Sequence, residues 1–444
     1  MFPSIGTLGA VVLGVALGVA SVGIAFAMGM RRAVLAIFLV RSSCDPVFGL
    51  TQAADGGMGV GAAVNVLVIV LALLFFLESP ILIGSAILPW AGFLMTALAS
   101  VIGSPEPMMK ALRGFFVLTS YAAVFALPLA LIRSRQWALR CLTVVMCSSI
   151  IPVTYAFVEI ASGTAGGDRL RSTFGHPNIF AYYLVSLLAL TLFLLRSSLA
   201  PRSPRVRLWL VLYLPIIIVL LLLTESRGAW VSGAIVLIGY ASIIDKRYLL
   251  CLPLVPFIIY LPSVAERLSD LQTGNLDYGY AQLNSYAWRK LLWQSALDWL
   301  MDNPSTSLLL GYGWGSFEYY SPIFFPRSAP DGMVAHNAIL QTFFEMGILG
   351  LLAFLWVFVA LFAKLKIGYS FDKAGATIMM TLALSYLVAS YGDNMFAYLA
   401  FQWYFWFIMG VVCAWYKLRS TPQPVDMSMV QGLISAQSAE RRTA

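Results

Sequence analysis

Between residues 5 and 416 the chain is a succession of apolar runs, most of them roughly 17–25 residues long, separated by short polar breaks. A run of that length has one common solution. It becomes an α-helix across a bilayer, because a helix satisfies its own backbone N–H and C=O groups where no water can. A β-barrel would instead show short segments of alternating polarity. The chain is 60% hydrophobic and 11% charged, with a mean hydropathy of +0.85. A soluble protein of this size could not bury so much apolar surface. The expected fold is all-α, a polytopic membrane protein of about 12 transmembrane helices with one large, partly helical outer loop.

The expected spans are 5–29, 33–50, 59–77, 81–103, 111–132, 137–161, 179–196, 208–223, 229–244, 248–262, 337–363, 374–391 and 398–416. The second is weakened by Arg41 and Asp45. No basic residue precedes the first run, and Arg31-Arg32 follows it in place of a small-residue cleavage site. It reads as a retained span and not a signal peptide. Basic residues mark one side of the membrane: Arg133, Arg135 and Arg140; Arg196, Arg202, Arg205 and Arg207; Lys246 and Arg247; Lys364, Lys366 and Lys373; Lys417 and Arg419. They fit the cytoplasmic side, so positive-inside topology accounts for the net charge of +8 better than nucleic-acid binding does. Residues 1–419 form an integral membrane domain that includes the loop 263–336, and 420–444 read as a disordered cytoplasmic tail. The five cysteines show no metal-ligand spacing and mostly lie in apolar runs, where cysteine acts as a small hydrophobe.

By parity the outer face receives 162–178, 224–228, 263–336 and 391–397. Both histidines of the chain, His176 and His336, fall there, with Arg171, Arg227, Asp393 and Asn394. Histidine is the side chain whose unperturbed pKa suits proton transfer near neutrality. Within the long loop, Trp288, Leu291, Leu292, Ser295, Ala296 and Trp299 share one helical face, which predicts an interfacial helix closed by Asn303-Pro304.

His336 heads the clearest pattern. If the chain is helical from Asn337, then Asn337, Gln341 and Glu345 form one polar stripe, with Glu345 roughly 13 Å down the helix. Helix–helix hydrogen bonding explains Gln341, but not a histidine and an ionisable acid above and below it. Arg227, in Thr224-Glu225-Ser226-Arg227-Gly228, is an outer arginine that positive-inside topology disfavours. Its planar fork suits phosphate oxygens. Arg171, with Arg169 two residues before it, is a second such arginine, and the two together suit one diphosphate. His176 and Asn178 read equally well as caps of the following span. The glycine-rich stretch 311–317 lacks the lysine and preceding strand of a phosphate loop, so it reads as a tight aromatic turn that stacks on sugars or packs on the bundle.

At these residues the chain resembles the bacterial O-antigen ligase and O-antigen/exopolysaccharide polymerase family (the Wzy/WaaL type). The resemblance rests on residues 171–178, Ser226-Arg227-Gly228, the turn 311–317, and His336-Asn337 followed after nine residues by Gly347-Ile348-Leu349-Gly350. It implies a GT-C-type glycosyltransferase in the bacterial inner (cytoplasmic) membrane, its active site facing the periplasm. Such an enzyme transfers an undecaprenyl-diphosphate-linked oligosaccharide to an acceptor sugar with inversion. It further implies His336 as catalytic base, Arg171 and Arg227 on the diphosphate, and Arg289 as a weaker match. Asn337 and Glu345 join the expected substrate-binding set.

The chemistry agrees with that implication. A sugar hydroxyl needs a base as it attacks, whereas a diphosphate leaving group needs charge stabilisation more than a proton. No D-x-D carboxylate pair is present, so the expected reaction uses no metal or other cofactor. Glu345, Glu225 and Asp393 all remain possible orienting acids for His336. The wording of residues 173–178 resembles polymerases more than ligases that deliver glycan to lipid A–core. A flippase and a chain-length regulator are the expected partners of a polymerase. A lipid-linked oligosaccharide flippase would bind the same lipid without needing the base, and a secondary transporter would show related halves.

Overall fold

The computed structural model describes residues 29–51, 60–78, 80–163, 169–247, 285–303 and 307–421, and all regular structure among them is helical. In chain order the helices are α1 (Met30–Val40), α2 (Asp45–Thr51), α3 (Val60–Glu78), α4 (Pro80–Ile102), α5 (Met108–Leu131), α6 (Arg135–Ser148), α7 (Ile150–Ala161) and α8 (Pro177–Arg196). They continue with α9 (Pro204–Leu223), α10 (Arg227–Ile243), α11 (Ser285–Asp302), α12 (Ser307–Leu310), α13 (Ser316–Phe324), α14 (Ala338–Ile367), α15 (Lys373–Gly392) and α16 (Leu399–Ser420).

Among the described residues 8 helices are long and apolar enough to cross a membrane: α3, α5, the joined α6–α7 pair, α8, α9, α14, α15 and α16. Shorter apolar helices, Ala86–Ile102 within α4 and Arg227–Ile243, accompany them. This falls short of the dozen expected. The runs 5–29 and 248–262 lie outside the described residues, as does the tail beyond Thr421. The run 33–50 is not one span. It breaks into α1, a 3₁₀ turn at Arg41–Ser43 and α2, around a salt bridge of 2.6 Å between Arg41 and Asp45. Arg41 is buried, and a buried guanidinium must meet its carboxylate and aromatic partners whatever the helix axis would prefer.

Two helices form the centre. Residues 400–416 of α16 and 180–194 of α8 are buried without interruption, as expected of helices that are apolar on every side. Gln402, buried in the first turn of α16, is tolerated because its carboxamide donates to the Met395 carbonyl (2.7 Å) and accepts from the Trp406 indole (2.8 Å). By contrast α9 keeps an apolar, outward-facing surface, with Leu208, Trp209, Val211 and Leu212 exposed.

The bundle has two unlike ends. At one, Arg196 bonds Tyr240 and Asp245, Arg135 bonds the Ala200 carbonyl, and Lys364, Lys366, Lys417 and Arg419 close α14 and α16. The other gathers the starts of α8, α10, α14 and α16 and the end of α15. Over this end lies α11. Leu292 and Ala296 of the expected face are buried, joined by Trp293 and Leu300, while Leu291 is 40% exposed; Trp293 donates its indole N–H to the Ala335 carbonyl (2.7 Å). Trp288 and Trp299 pack on Phe325 and Phe344. The helix is a cover held by protein contacts.

Candidate functional site

Three non-glycine residues adopt left-handed backbone among the described residues: Ser172 (φ 55°), Glu225 (φ 51°) and His336 (φ 47°). Each costs roughly 1–2 kcal/mol relative to a right-handed residue. All three lie in the loops that meet at the end opposite the basic one. Such strain persists only where the surroundings over-determine it, and it concentrates at working sites.

His336 precedes Asn337, whose side-chain oxygen caps α14 by accepting from Leu340 N–H (2.9 Å). The left-handed turn places the His336 Nδ1 3.9 Å from Asp393 Oδ1, longer than a hydrogen bond. The imidazole is 38% exposed and the carboxylate 9%. Asp393 follows the last residue of α15, and its backbone carbonyl accepts from Ala338 N–H (3.2 Å), so α14 and α15 are tied beside the pair.

Donors surround Asp393. Its Oδ2 accepts from the Asn178 carboxamide (2.8 Å) and its Oδ1 from Asn394 N–H (3.0 Å). Asn178 also donates to the Tyr398 hydroxyl (3.0 Å). Burial alone pushes the Asp393 carboxyl up, but the His336 imidazole, the Tyr398 hydroxyl and the Arg289 charge outweigh it and hold the group below its ordinary value. Arg289 reaches this point from α11 by donating to the Gly392 carbonyl (2.6 Å), a cation at the C-terminus of α15. Behind Asn178, its Oδ1 accepts from Arg169 (2.8 Å) and Ser226 (3.1 Å), and Arg169 donates to the Thr224 carbonyl (3.1 Å).

Two members of the α14 stripe, Gln341 and Glu345, join a hydrogen-bonded chain. Asn394 donates to Gln341 (2.7 Å), and Gln341 donates to Glu345 Oε1 (2.9 Å). Two residues beyond Glu345 the helix breaks at Gly347 (φ 66°, ψ −169°). A break frees carbonyls one turn earlier, and the glycine-rich turn answers them. Tyr312 N–H bonds the Phe344 carbonyl (2.9 Å), Gly313 N–H the Glu345 carbonyl (3.1 Å), and Ser100 adds its hydroxyl to the latter (2.8 Å). A Cβ on Gly347 would meet the Leu309 carbonyl oxygen at 2.2 Å, so only glycine fits. The turn at 311–317 therefore packs on the bundle.

The structure thus brings His336 and Arg289 into one network around Asp393, with Glu345 buried at its far end. Asn337 acts as a cap. Arg227 opens α10 directly after Ser226, so its backbone is anchored to Asn178, while Arg171 is exposed at the same end beside Ser172, whose N–H donates to Glu159 (2.8 Å). Of the three acids left open by sequence, Asp393 faces His336. Arg169, Asn178 and Tyr398 were not singled out as site residues. Their only signal was proximity in sequence to residues that were. His176 caps α8, its Nδ1 accepting from Asn178 N–H (3.1 Å), and stacks on Tyr398 with ring centroids 6.2 Å apart.

Residues 210–355 match the family model described as O-antigen ligase (Wzy_C), which supports the O-antigen ligase/polymerase family. The matched stretch contains Arg227, the turn 311–317, His336 and the Gly347 break, whereas Arg169, Arg171, Asn178 and Asp393 lie outside it. No curated protein matches the chain.

Proposed function

With the O-antigen ligase match over residues 210–355 as premise, we propose that the chain is a membrane glycosyltransferase acting at the periplasmic face of the inner membrane. It moves a glycan from undecaprenyl diphosphate to an acceptor sugar hydroxyl. The observation that carries this is that His336 faces a buried, donor-ringed Asp393 at the end opposite the basic termini of α14 and α16. Positive-inside topology puts the basic end in the cytoplasm and the site outside.

In the reaction the acceptor oxygen attacks the anomeric carbon, a new C–O bond forms with inversion, and the bond to the diphosphate oxygen breaks. The hydroxyl proton passes to His336 Nε2, with the Asp393 carboxylate facing Nδ1 and stabilising the imidazolium. The diphosphate departs as an anion on its lipid, its charge met by Arg171 and Arg227, with Arg289 alongside. Glu345 and Asn337 stand as acceptor-side groups only through the stripe that Gln341 completes.

The acceptor we favour is a growing polysaccharide chain, with a flippase and a chain-length regulator as partners. The family description names a ligase, so delivery to lipid A–core or another terminal acceptor is the second reading. The test uses purified protein in nanodiscs, given labelled lipid-linked glycan extracted from its host's membranes. Chain growth without added acceptor supports the polymerase, and transfer only to added lipid A–core supports the ligase. Movement of the lipid across the bilayer without glycan transfer would overturn both.

A further inference from the structure

Asn178 touches more of the site than any residue named so far. One carboxamide nitrogen reaches Asp393 Oδ2 and the Tyr398 hydroxyl, and the oxygen accepts from Arg169 and Ser226. It stands at the start of α8 and so connects four separate elements: the loop before α8, the α9–α10 turn, the end of α15 and the start of α16. A helix cap would need none of this, and the cap here is His176.

We infer that Asn178 is a positioning residue that orients Asp393 toward His336 and sets how much of the carboxylate's charge the imidazole receives. An amide suits this role because it donates and accepts at once. Its oxygen is polarised by the Arg169 guanidinium, which strengthens donation from its nitrogen to Asp393. The carboxylate then shares its charge between two donors, so less of that charge faces the imidazole. A carboxylate free of Asn178 would hold the imidazolium more tightly and swing out of line. The inference rests on the general-base reading of His336.

Other titratable or charged groups face this pair. Arg169 and His176 come from the loop before α8, Tyr182 from α8, Arg289 from α11 and Tyr398 from α16, while Glu345 joins through Gln341 and Asn394. Changing Asn178 removes a hydrogen bond from Arg169 and one to Tyr398, and the Asp393→Asn background controls for both. The backbone N–H that caps through His176 is retained in every variant.

The chain's two histidines make a direct test available. Full-length protein labelled with nitrogen-15 histidine, in nanodiscs, gives two imidazole signals, and His176→Gln assigns them. Asn178→Ala is expected to move the His336 titration midpoint up by roughly half a pH unit or more, with Asn178→Leu as the volume-filling alternative. In an Asp393→Asn background the same change should leave the midpoint where it is. A midpoint unmoved in the folded single variants would overturn the inference, and so would equal shifts in both backgrounds. In the transfer assay kcat should fall roughly 10- to 100-fold. If His336→Ala retains turnover, the base reading fails, while the titration still judges Asn178 separately.

Discussion

Helix α15 carries a buried aspartate at each end, and the two are held in different ways. Asp372 precedes its first residue and accepts from Gly375 N–H (3.1 Å), Ser198 (3.0 Å) and Tyr416 (3.2 Å). There the helix offers unpaired amides and the positive end of its dipole, which favours a carboxylate by roughly 0.3–1 kcal/mol. Asp393 follows the last residue, where carbonyls and the negative end oppose it. Against its burial, His336, Tyr398 and Arg289 hold it below its ordinary value, with Asn178 and Asn394 adding hydrogen bonds. The first acid caps α15 itself, with Ser198 and Tyr416 added from neighbouring elements. The second needs donors recruited from several elements, and those donors converge where all three left-handed non-glycine residues lie.

The comparison is broken most directly at His336. His336→Ala is expected to cost about 10²–10⁴-fold in glycan transfer while leaving the thermal midpoint nearly unchanged, because the side chain is part-exposed and alanine bears the same left-handed backbone cost as histidine. Preserved transfer would reduce the Asp393 end to another structural cluster. Next, Asp393→Asn should cost about 10²-fold in kcat, whereas Asp372→Asn should leave transfer intact. Asp372→Ala should instead lower unfolding stability by roughly 0.5–2 kcal/mol through the lost cap. Equal effects on transfer from the two ends would erase the distinction.

Much of this arrangement was readable from residue order. The uninterrupted apolar runs fixed α8 and α16, and the four-residue spacing of Asn337, Gln341 and Glu345 gave the stripe on α14. Which acid serves His336 was not readable. Glu225, Glu345 and Asp393 are all ionisable groups in or beside polar breaks, and only the packing of α14 against α15 selects Asp393. The face of α11 was readable except at Leu291 and Trp293, but which neighbour it meets was not, because tryptophan suits a lipid interface and a protein interior equally. The break at Gly347 was hidden for a similar reason: glycines in an apolar helix mark close packing as often as a kink. Gly347→Ala decides the matter by stability, with an expected loss of roughly 2–3 kcal/mol from the left-handed backbone and the clash with Leu309. A loss of a few tenths would mean the turn at 311–317 yields easily.

His176 gives the smallest effect and the sharpest contrast with His336. Burial, then the charge of Arg169, holds its imidazole below the ordinary value of 6.5. The neutral ring is the form that caps α8, since only a neutral Nδ1 can accept from Asn178 N–H. A depressed histidine favours the folded state fully above its unfolded value. That contribution is lost as pH falls from about 6.5 through the lower folded value. His176→Asn supplies a side-chain acceptor that does not titrate, so the thermal midpoint should lose its slope over this window. The amplitude should be at most about 1 kcal/mol, the site being half-exposed and screened. Transfer should survive, because the cap is kept. A slope that persists in His176→Asn would assign the titration to another group. A collapse in transfer with normal stability would move His176 from the frame of the site into its chemistry, and the division between structural and working polar groups at this end would have to be redrawn.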